Sequence, residues 1–181
     1  MKRTIVAAVA ALALSAVGSS LSAQGVQIGL GGGVLIPMSD YKTADKMGWL
    51  GGADATYWLT GAPVAIRIEG DYSQTSHKNN VGGHTSIIGG MAQVVYALGT
   101  KDASMRPYVL GGLGYFHAKV DVTGFGSASE NKLGWGVGAG LAFKMGTGGS
   151  QIFVEGRYQS VQTSGSALTM IPIRAGIRFG S

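Results

Sequence analysis

No cysteine occurs anywhere in the 181 residues. That excludes disulfides, Cys-ligated zinc and thiol nucleophiles. Charge is scarce as well. Asp, Glu, Lys and Arg make up 13% of the chain, where a soluble domain carries roughly 25%. Long apolar runs are missing except at the N-terminus; elsewhere a glycine or a polar residue interrupts every second or third position. Low charge without an apolar helix suits a membrane protein built from strands, whose signal per segment is weak. The formal net charge is +5, with no basic run and no aromatic–basic cluster, so nucleic-acid binding is not indicated. What the chain has in excess is glycine, 32 residues of it. Its length fits one domain.

The N-terminus has the three parts of a secretory signal. Met1-Lys2-Arg3 is a basic start, 5–17 is an Ala-rich apolar core, and 18–22 is small and polar. Leu21-Ser22-Ala23 precedes Gln24, so Ala23 is the expected last residue removed. The apolar core is shorter than the ~20 residues of a helical span, which argues against an anchor. No cysteine follows it, which excludes a lipid anchor at that site. Residues 1–23 are therefore read as a signal peptide and 24–181 as one domain.

From residue 26 onward hydropathy alternates with a period of two, the mark of strands with two unlike faces. The clearest segment is 168–179. Ile171, Ile173, Ala175, Ile177 and Phe179 share one face, and Pro172, Arg174, Gly176 and Arg178 the other. Seven earlier segments behave alike. In 26–37, Val26, Ile28, Leu30, Val34 and Ile36 oppose Gln27, Gly29, Gly31 and Gly33. In 48–59, Trp49, Ala53, Ala55, Tyr57 and Leu59 oppose Asp54 and Thr56. In 64–73, Val64, Ile66, Ile68 and Tyr72 oppose Arg67, Glu69 and Asp71. In 85–98, Ile88, Ala92, Val94, Tyr96 and Leu98 oppose Gln93. In 105–122 both faces are apolar; Val109, Leu113 and Tyr115 are placed outward, Gly112 and Gly114 inward, and the opposite assignment stays open. In 132–145, Trp135, Val137, Ala139, Leu141 and Phe143 oppose four glycines. In 151–161, Ile152, Val154 and Tyr158 oppose Phe153, Glu155 and Arg157.

The connections alternate in kind. Short turns are expected at 60–63, 99–104 and 146–149, and longer polar loops at 38–46, 76–84, 123–131 and 162–167. Bacterial single-chain barrels have short periplasmic turns and longer external loops. Aromatics collect at both levels. Tyr57, Trp58, Tyr96, Phe143 and Phe179 lie near the short turns; Trp49, Tyr72, Tyr115, Phe116, Trp135 and Tyr158 lie near the loops. Two belts at the membrane–water boundaries are expected from this. An echo, I-x-[I/V]-E-G-x-Y, at 66–72 and 152–158 is read as shared constraint in preference to duplication.

Alternation alone does not say which face is outside. A soluble barrel would turn its apolar face inward. Glycine would make an odd solvent surface but suits a crowded interior, and the aromatics form two belts instead of one lining. The chain also ends in a distinctive strand. Arg174-Ala175-Gly176-Ile177-Arg178-Phe179 resembles the C-terminal assembly signal of outer-membrane barrels, with Gly176, Ile177 and Phe179 as its signal residues. Pro107-Tyr108-Val109 with Gly112-Leu113-Gly114-Tyr115 resembles a strand common in small ones. The chain after its leader resembles the outer membrane protein β-barrel superfamily, of the small eight-stranded OmpA/OmpX/opacity type. The resemblance implies an all-β, eight-stranded antiparallel up-and-down transmembrane β-barrel in the cell outer membrane. It also implies outer-membrane lipid around it, periplasmic chaperones in transit, and recognition of the last strand by the barrel-assembly machinery. Phe179 is followed by Gly180-Ser181, where the family usually ends on its aromatic. No peptidoglycan-binding domain follows, so the tethering role of longer OmpA proteins is not implied.

An eight-stranded interior is just wide enough to be filled by side chains. Asp54, Arg67, Glu69, Asp71, Lys144, Glu155, Arg157, Arg174 and Arg178 are expected in it, with neighbouring strands pairing opposite charges, Glu155 with Arg174 for example. Buried charges in that number need partners. The expected function is structural or surface interaction, with no catalysis, cofactor or metal. A narrow pore or lateral opening for small apolar molecules is the alternative, because inward glycines could leave a cavity. A lipid A-modifying hydrolase is the minor alternative. His84 and Ser86 share a strand face near the external end, and a nucleophile needs a base within reach. H-x-S is common by chance, however, and the sequence identifies no supporting acid. His77 and His84 flank one loop and read as solvated side chains in preference to metal ligands; His117 reads as interfacial. Gly31-Gly32-Gly33 is no phosphate loop, since no helix follows and no Lys stands at the needed spacing. The external loops are short and carry no recognisable adhesion motif.

Overall fold

The computed structural model describes residues 25–78, 83–100, 103–122, 126–146, 149–162 and 167–180. The leader, 1–23, lies outside the described residues. Eight strands run in chain order: β1 (Val26–Met38), β2 (Gly48–Trp58), β3 (Val64–Ser76), β4 (Gly83–Ala97), β5 (Met105–Val122), β6 (Gly126–Met145), β7 (Ser150–Gln162) and β8 (Ala167–Phe179). One short helix, α1 (Ser39–Ala44), sits between β1 and β2. Each strand pairs antiparallel with the next, and β8 returns to β1, from Ile28↔Phe179 to Met38↔Thr169. The result is a closed up-and-down barrel with no free edge along its common height. Closure follows from the solvent: hydrocarbon offers backbone N–H and C=O groups no partner, so every strand must find two neighbours.

The alternation read from the sequence is the alternation of the walls. Arg67, Glu69, Glu155, Arg157, Arg174 and Arg178 are buried inside, while Leu113, Leu133 and Ile68 are 72%, 69% and 66% exposed outside. Water would not tolerate a continuous apolar surface of that size; lipid does. The open choice on β5 resolves with Val109, Leu113 and Tyr115 outward and Tyr108, Leu110 and Phe116 inward. Of the eleven expected belt aromatics, Trp49, Tyr57, Tyr72, Tyr96, Tyr115, Trp135, Phe143, Tyr158 and Phe179 are exposed on the outer face. Trp49 lies against Tyr72, ring centroids 5.5 Å apart, and Trp135 against Tyr158 at 5.7 Å. Trp49 and Tyr57 on β2, like Trp135 and Phe143 on β6, bracket a stretch of about 26 Å at ~3.3 Å per residue. With strands tilted by about 40°, that is about 20 Å along the barrel axis, close to the apolar height of such barrels.

Several expectations need correction. Trp58 is not on the lipid face. Tyr57 points out, so its neighbour must point in; the Trp58 indole N–H donates to Gln27 Oε1 (3.0 Å) and its ring lies 4.5 Å from the Arg106 guanidinium. Phe116, grouped with Tyr115 at the loop end, is an interior residue with no exposure. Lys144 keeps the inward phase of β6 but is exposed at the short-turn end, beyond Ala142, the last buried residue on that face. β6 starts at Gly126, inside the expected loop, because Gly126–Leu133 continues the ladder opposite Tyr115–Val122. Its composition is polar there because both faces have left the membrane. With β3 and β4 also longer than expected, three loop-end connections shrink, to 77–82, 123–125 and 163–166, while the first keeps its length at 39–47; the other end has 59–63, 98–104 and 146–149. The two ends therefore differ less in loop length than in how far β4, β5 and β6 rise past the aromatic belt.

Labels placed on Val154, Ile173 and Arg174 test this solvent assignment in bilayers. Nitroxides at Val154 and Ile173 should be relaxed by oxygen dissolved in lipid and shielded from aqueous nickel chelates. A label at Arg174 should be shielded from both.

Candidate functional site

The interior is stacked in three layers. Nearest the short turns, Ala65, Val95, Ala97, Tyr108, Leu110 and Ala142 cluster, with Trp58 packed against them. Nearest the loops, Leu35, Tyr41, Leu50, Ile87, Met91, Phe116, Ala118, Val161 and Met170 form a second apolar cluster. Between them lies an ionic layer. Strands β2, β3, β7 and β8 supply it, because each carries charge on its inward phase at the same height.

Arg67 is the hub. Its Nη1 donates to Glu155 Oε2 (2.7 Å) and its Nε to Thr56 Oγ1 (3.0 Å), with Asp54 Oδ1 at 3.7 Å. Arg157 Nη2 donates to Glu69 Oε1 (2.6 Å), and its Nε lies 3.5 Å from Glu155 Oε1. Arg178 Nε donates to Asp54 Oδ1 (3.1 Å), Nη1 donates to the Tyr108 hydroxyl (3.3 Å), and its guanidinium lies 3.8 Å from the Phe153 ring. Tyr108 in turn donates to Glu155 Oε2 (2.8 Å). Arg174 Nη1 stands 2.8 Å from Glu69 Oε2 and Nη2 3.2 Å from Asp54 Oδ2; these are ion pairs without hydrogen-bond geometry, and Nη2 donates instead to the Gly52 carbonyl (3.1 Å). Glu155 and Arg174 are register partners, as expected, but they do not form the expected pair. Glu155 pairs instead with Arg67 on β3, and Arg174 faces Glu69 on β3 and Asp54 on β2.

Asp71 stands at the upper edge of this layer. Its Oδ2 is buried without a hydrogen bond among the described residues, and it borders a cavity of about 10 Å³ with Arg157, Gln159, Ser73 and the apolar cluster above. A space of that size holds about one water molecule. Four guanidinium groups thus face four carboxylates. The inward glycines do not leave a cavity. A Cβ on Gly31 would meet Arg174 Nε at 2.8 Å and the Phe153 ring at 2.9 Å, one on Gly114 would meet Phe116 at 2.8 Å, and Gly140 is filled by Tyr108. Glycine makes room for large partners.

A second polar cluster sits at the loop end. The Tyr41 and Thr75 hydroxyls bond at 2.8 Å, Thr75 donates to Asp45 Oδ2 (2.8 Å), and His77 Nε2 lies 3.5 Å from Asp45 Oδ1 and 3.2 Å from Thr85 Oγ1. Asp45 and His77 also share a backbone bridge, flanked by Lys46 N–H to Ser76 C=O and Lys78 N–H to Ala44 C=O. Those bonds fold the β1–β2 connection inward and carry Tyr41 into the apolar cluster. Burial pushes its phenol up to about 12; Asp45 adds to that and the bond to Thr75 opposes it.

The two loop histidines do not converge: His77 turns inward and His84 outward. Among the described residues no group of three His, Cys, Asp or Glu side chains gathers as metal ligands. The register does bring an acid to His84, which the sequence could not show: Asp121 Oδ2 lies 3.6 Å from its Nε2 and 3.0 Å from Lys119 Nζ. Ser86 is engaged elsewhere, accepting from the Tyr72 hydroxyl at 3.3 Å. Of the described residues, His84 and Ser86 share no hydrogen bond. His117 lies against Asn131 at 2.7 Å on the exposed side. Gly176, Ile177 and Phe179 end β8 where it seals against β1. Ile177 and Phe179 point outward, and Gly176 packs on the Leu30 carbonyl.

A closed antiparallel cylinder, apolar outside and cross-linked by charge within, defines a transmembrane β-barrel. The profile of the outer membrane protein beta-barrel domain matches residues 4–179, and the chain belongs to that family, which places it in the outer membrane. Its fold is similar to that of Neisserial surface protein A (TM-score 0.67, 18% identity, covering 86% of this chain and 97% of that one). It is also similar to a major outer membrane protein of Thermus thermophilus (0.61, 10% identity, 85% and 98%). A third similar structure is Ail of Yersinia pestis, in complex with the heparin analogue sucrose octasulfate (0.52, 20% identity, 86% and 100%). At these identities the likeness concerns the fold. No curated protein matches the chain.

Arg67→Met should lower the unfolding free energy by about 3–5 kcal/mol, since it leaves buried carboxylates uncompensated. The double variant Arg67→Met/Glu155→Gln should cost less than the sum of its single changes; urea unfolding in lipid bilayers reads both. The high Tyr41 value means that folding favours the neutral phenol. Its contribution to stability is full below the unfolded value near pH 10 and is lost as pH rises through about 12. Subtracting the ultraviolet titration of Tyr41→Phe from that of the wild type should leave a component centred near 12.

Proposed function

We propose that this chain is a structural and surface-interaction barrel of the outer membrane that neither catalyses a reaction nor conducts solutes. The sealed lumen carries the reading. An ion crossing it would have to pass two apolar clusters and dismantle the ionic layer between them, and the space bordering Asp71 at the top of that layer is about 10 Å³. The inward glycines, which could have favoured a narrow pore or lateral path, are occupied by Arg174, Phe153, Phe116 and Tyr108. Catalysis lacks its central contact, because Ser86 is held by Tyr72 while His84 faces Asp121.

The surface available for interaction is the wall that β4, β5 and β6 raise past the aromatic belt. Lys119 with Asp121 (3.0 Å) and Lys132 with Glu130 (3.0 Å) lie on it. Export under the signal at 1–23, escort by periplasmic chaperones and insertion by the barrel-assembly machinery through β8 belong to the same proposal.

Purified barrel in planar bilayers should give no steady large-pore conductance, and lipid A incubated with it should keep its mass. A stable open level would overturn the sealed-lumen reading; loss or gain of an acyl chain would overturn the non-catalytic one.

A further inference from the structure

The raised wall is closed on one side and open on the other. On its β4 side it is covered: β3 pairs with β4 up to Ser76↔His84, and the Gly83 carbonyl accepts from the His77 N–H. On its β6 side the neighbour stops short. β5 and β6 stay paired up to Val122↔Gly126, but β7 follows β6 only as far as Val161 opposite Gly134. Residues 126–131 therefore form a strand with a neighbour on one side, and all of them are exposed. The phase of the backbone says which groups are left over. The Lys144 N–H donates to the Ser104 carbonyl, so even-numbered residues of β6 bond toward β5. The register between the two strands has no slip from Met105↔Phe143 to Val122↔Gly126. In an antiparallel ladder one residue turns its N–H and C=O to one side and the next residue turns both to the other. Ser127, Ser129 and Asn131 therefore aim theirs at the open side, where no backbone group among the described residues meets them.

These groups recur about every 6.8 Å, twice the rise of a strand. A row of donors and acceptors at that spacing is matched by another extended polypeptide. Exposed edges are commonly guarded by charge or proline. Gly126, Ser127, Ala128 and Ser129 supply neither, and Glu130 is neutralised by Lys132 at 3.0 Å. Lys119 and Asp121 on β5 cancel in the same way. Small side chains without net charge leave room for bulky uncharged ones across the ladder. A second copy in the same membrane has its β6 running the same way, so two such edges cannot pair antiparallel. We propose that the open edge of β6 receives an extended, uncharged segment of another protein, rich in β-branched side chains, as an added antiparallel strand in line with β7. The backbone groups of Ser127, Ser129 and Asn131 hold it. This rests on the surface-interaction reading above and gives that wall its class of partner.

The test uses the full nitrogen-15-labelled barrel in nanodiscs. The probe is a heptapeptide of alternating Thr and Val, N-methylated on every second residue so that one edge keeps its donors and fibrils cannot grow. The control is the same peptide methylated on both edges. The probe should give saturable amide shifts at Ser127, Ser129 and Asn131 and slow their hydrogen exchange, and the control should give neither. Raising salt from 0.05 to 0.5 M should change the probe's affinity by less than about twofold, since no net charge is engaged. Ser129→Pro removes a donor from the open side and leaves the bonds to β5 in place, so it should weaken the probe by about tenfold or more. Ser129→Ala removes only the hydroxyl and should keep binding within about twofold. Heat-modifiable gel migration and exchange protection of the β5 amides report folding; should Ser129→Pro not fold, Ser129→Ala and the two peptides decide. Absence of saturable shifts, equal binding of the control peptide, unchanged binding to folded Ser129→Pro, or loss of binding in Ser129→Ala would each overturn the proposal. Shifts produced by unlabelled barrel in separate nanodiscs, and not by the peptide, would assign the edge to a second copy and overturn it too. Conductance and lipid A mass are read on the same preparation: a silent, inert barrel that ignores the peptide overturns the edge alone, whereas an open level or an altered acyl chain overturns the reading beneath it.

Discussion

Four guanidinium groups and four carboxylates share a narrow space between two apolar clusters, and the barrel can exist only if they neutralise one another. Taking a charge out of water costs several kcal/mol even after relaxation, and only good partners offset that cost. The pairs formed here are not local. Arg67 and Glu155 are 88 positions apart, as are Glu69 and Arg157, and Arg178 reaches Asp54 across 124. Each bond therefore reports that the cylinder has closed in the correct register. A slip of one residue would turn Arg67 or Glu155 to the lipid and bring an isoleucine or a valine inward. The ionic layer is a weak source of stability per pair and a strong filter against wrong pairings.

The apolar clusters above and below act on the same charges. They exclude water, so they strengthen each ion pair and raise the cost of losing a partner. They also explain the glycines. A cylinder of eight strands has little internal room, and Phe116, Phe153, Tyr108 and four arginines fit only where facing positions have no side chain. Gly31 and Gly140 are the other half of Arg174 and Tyr108.

This division decides what could be read in the sequence. The eight strands, their antiparallel order and most outward residues are legible, because charge on alternate positions of β2, β3, β7 and β8, and glycine opposite apolar residues on β1 and β6, give the pattern a sign. Arg67, Glu69, Glu155, Arg157, Arg174 and Arg178 were placed inside for the same reason. Where both phases are apolar the sign is lost, so Leu35, Met91 and Phe116 were not recognised as the upper cluster. Trp58 stands beside a turn like the outward aromatics, and only its phase, one residue after Tyr57, turns it inward to Gln27 and Arg106. The start of β6 was missed because Gly126–Lys132 is polar on both faces, and only its ladder with β5 makes it a strand. Nothing local announces the mouth cluster: Tyr41 meets Thr75 across 34 positions.

The two ends of the cylinder are built on different logic. At the short-turn end, strands stop close to their aromatics and the interior closes on Trp58, Gln27 and Arg106. At the loop end, β4, β5 and β6 continue past the belt, a helix folds back over the mouth, and a buried hydrogen-bonded chain fixes it there. A barrel needed only to span the membrane would require neither the raised wall nor the inward fold of the β1–β2 connection. Ordering that connection costs conformational entropy of about 1–2 kcal/mol per residue. Tyr41 offsets part of that cost by entering the apolar cluster, and the side-chain chain from Tyr41 to Thr85 fixes the geometry. With the middle of the cylinder filled, the raised wall with its Lys119–Asp121 and Lys132–Glu130 pairs, and the mouth that Tyr41, Thr75 and Asp45 hold in shape, make this the polar end of the barrel.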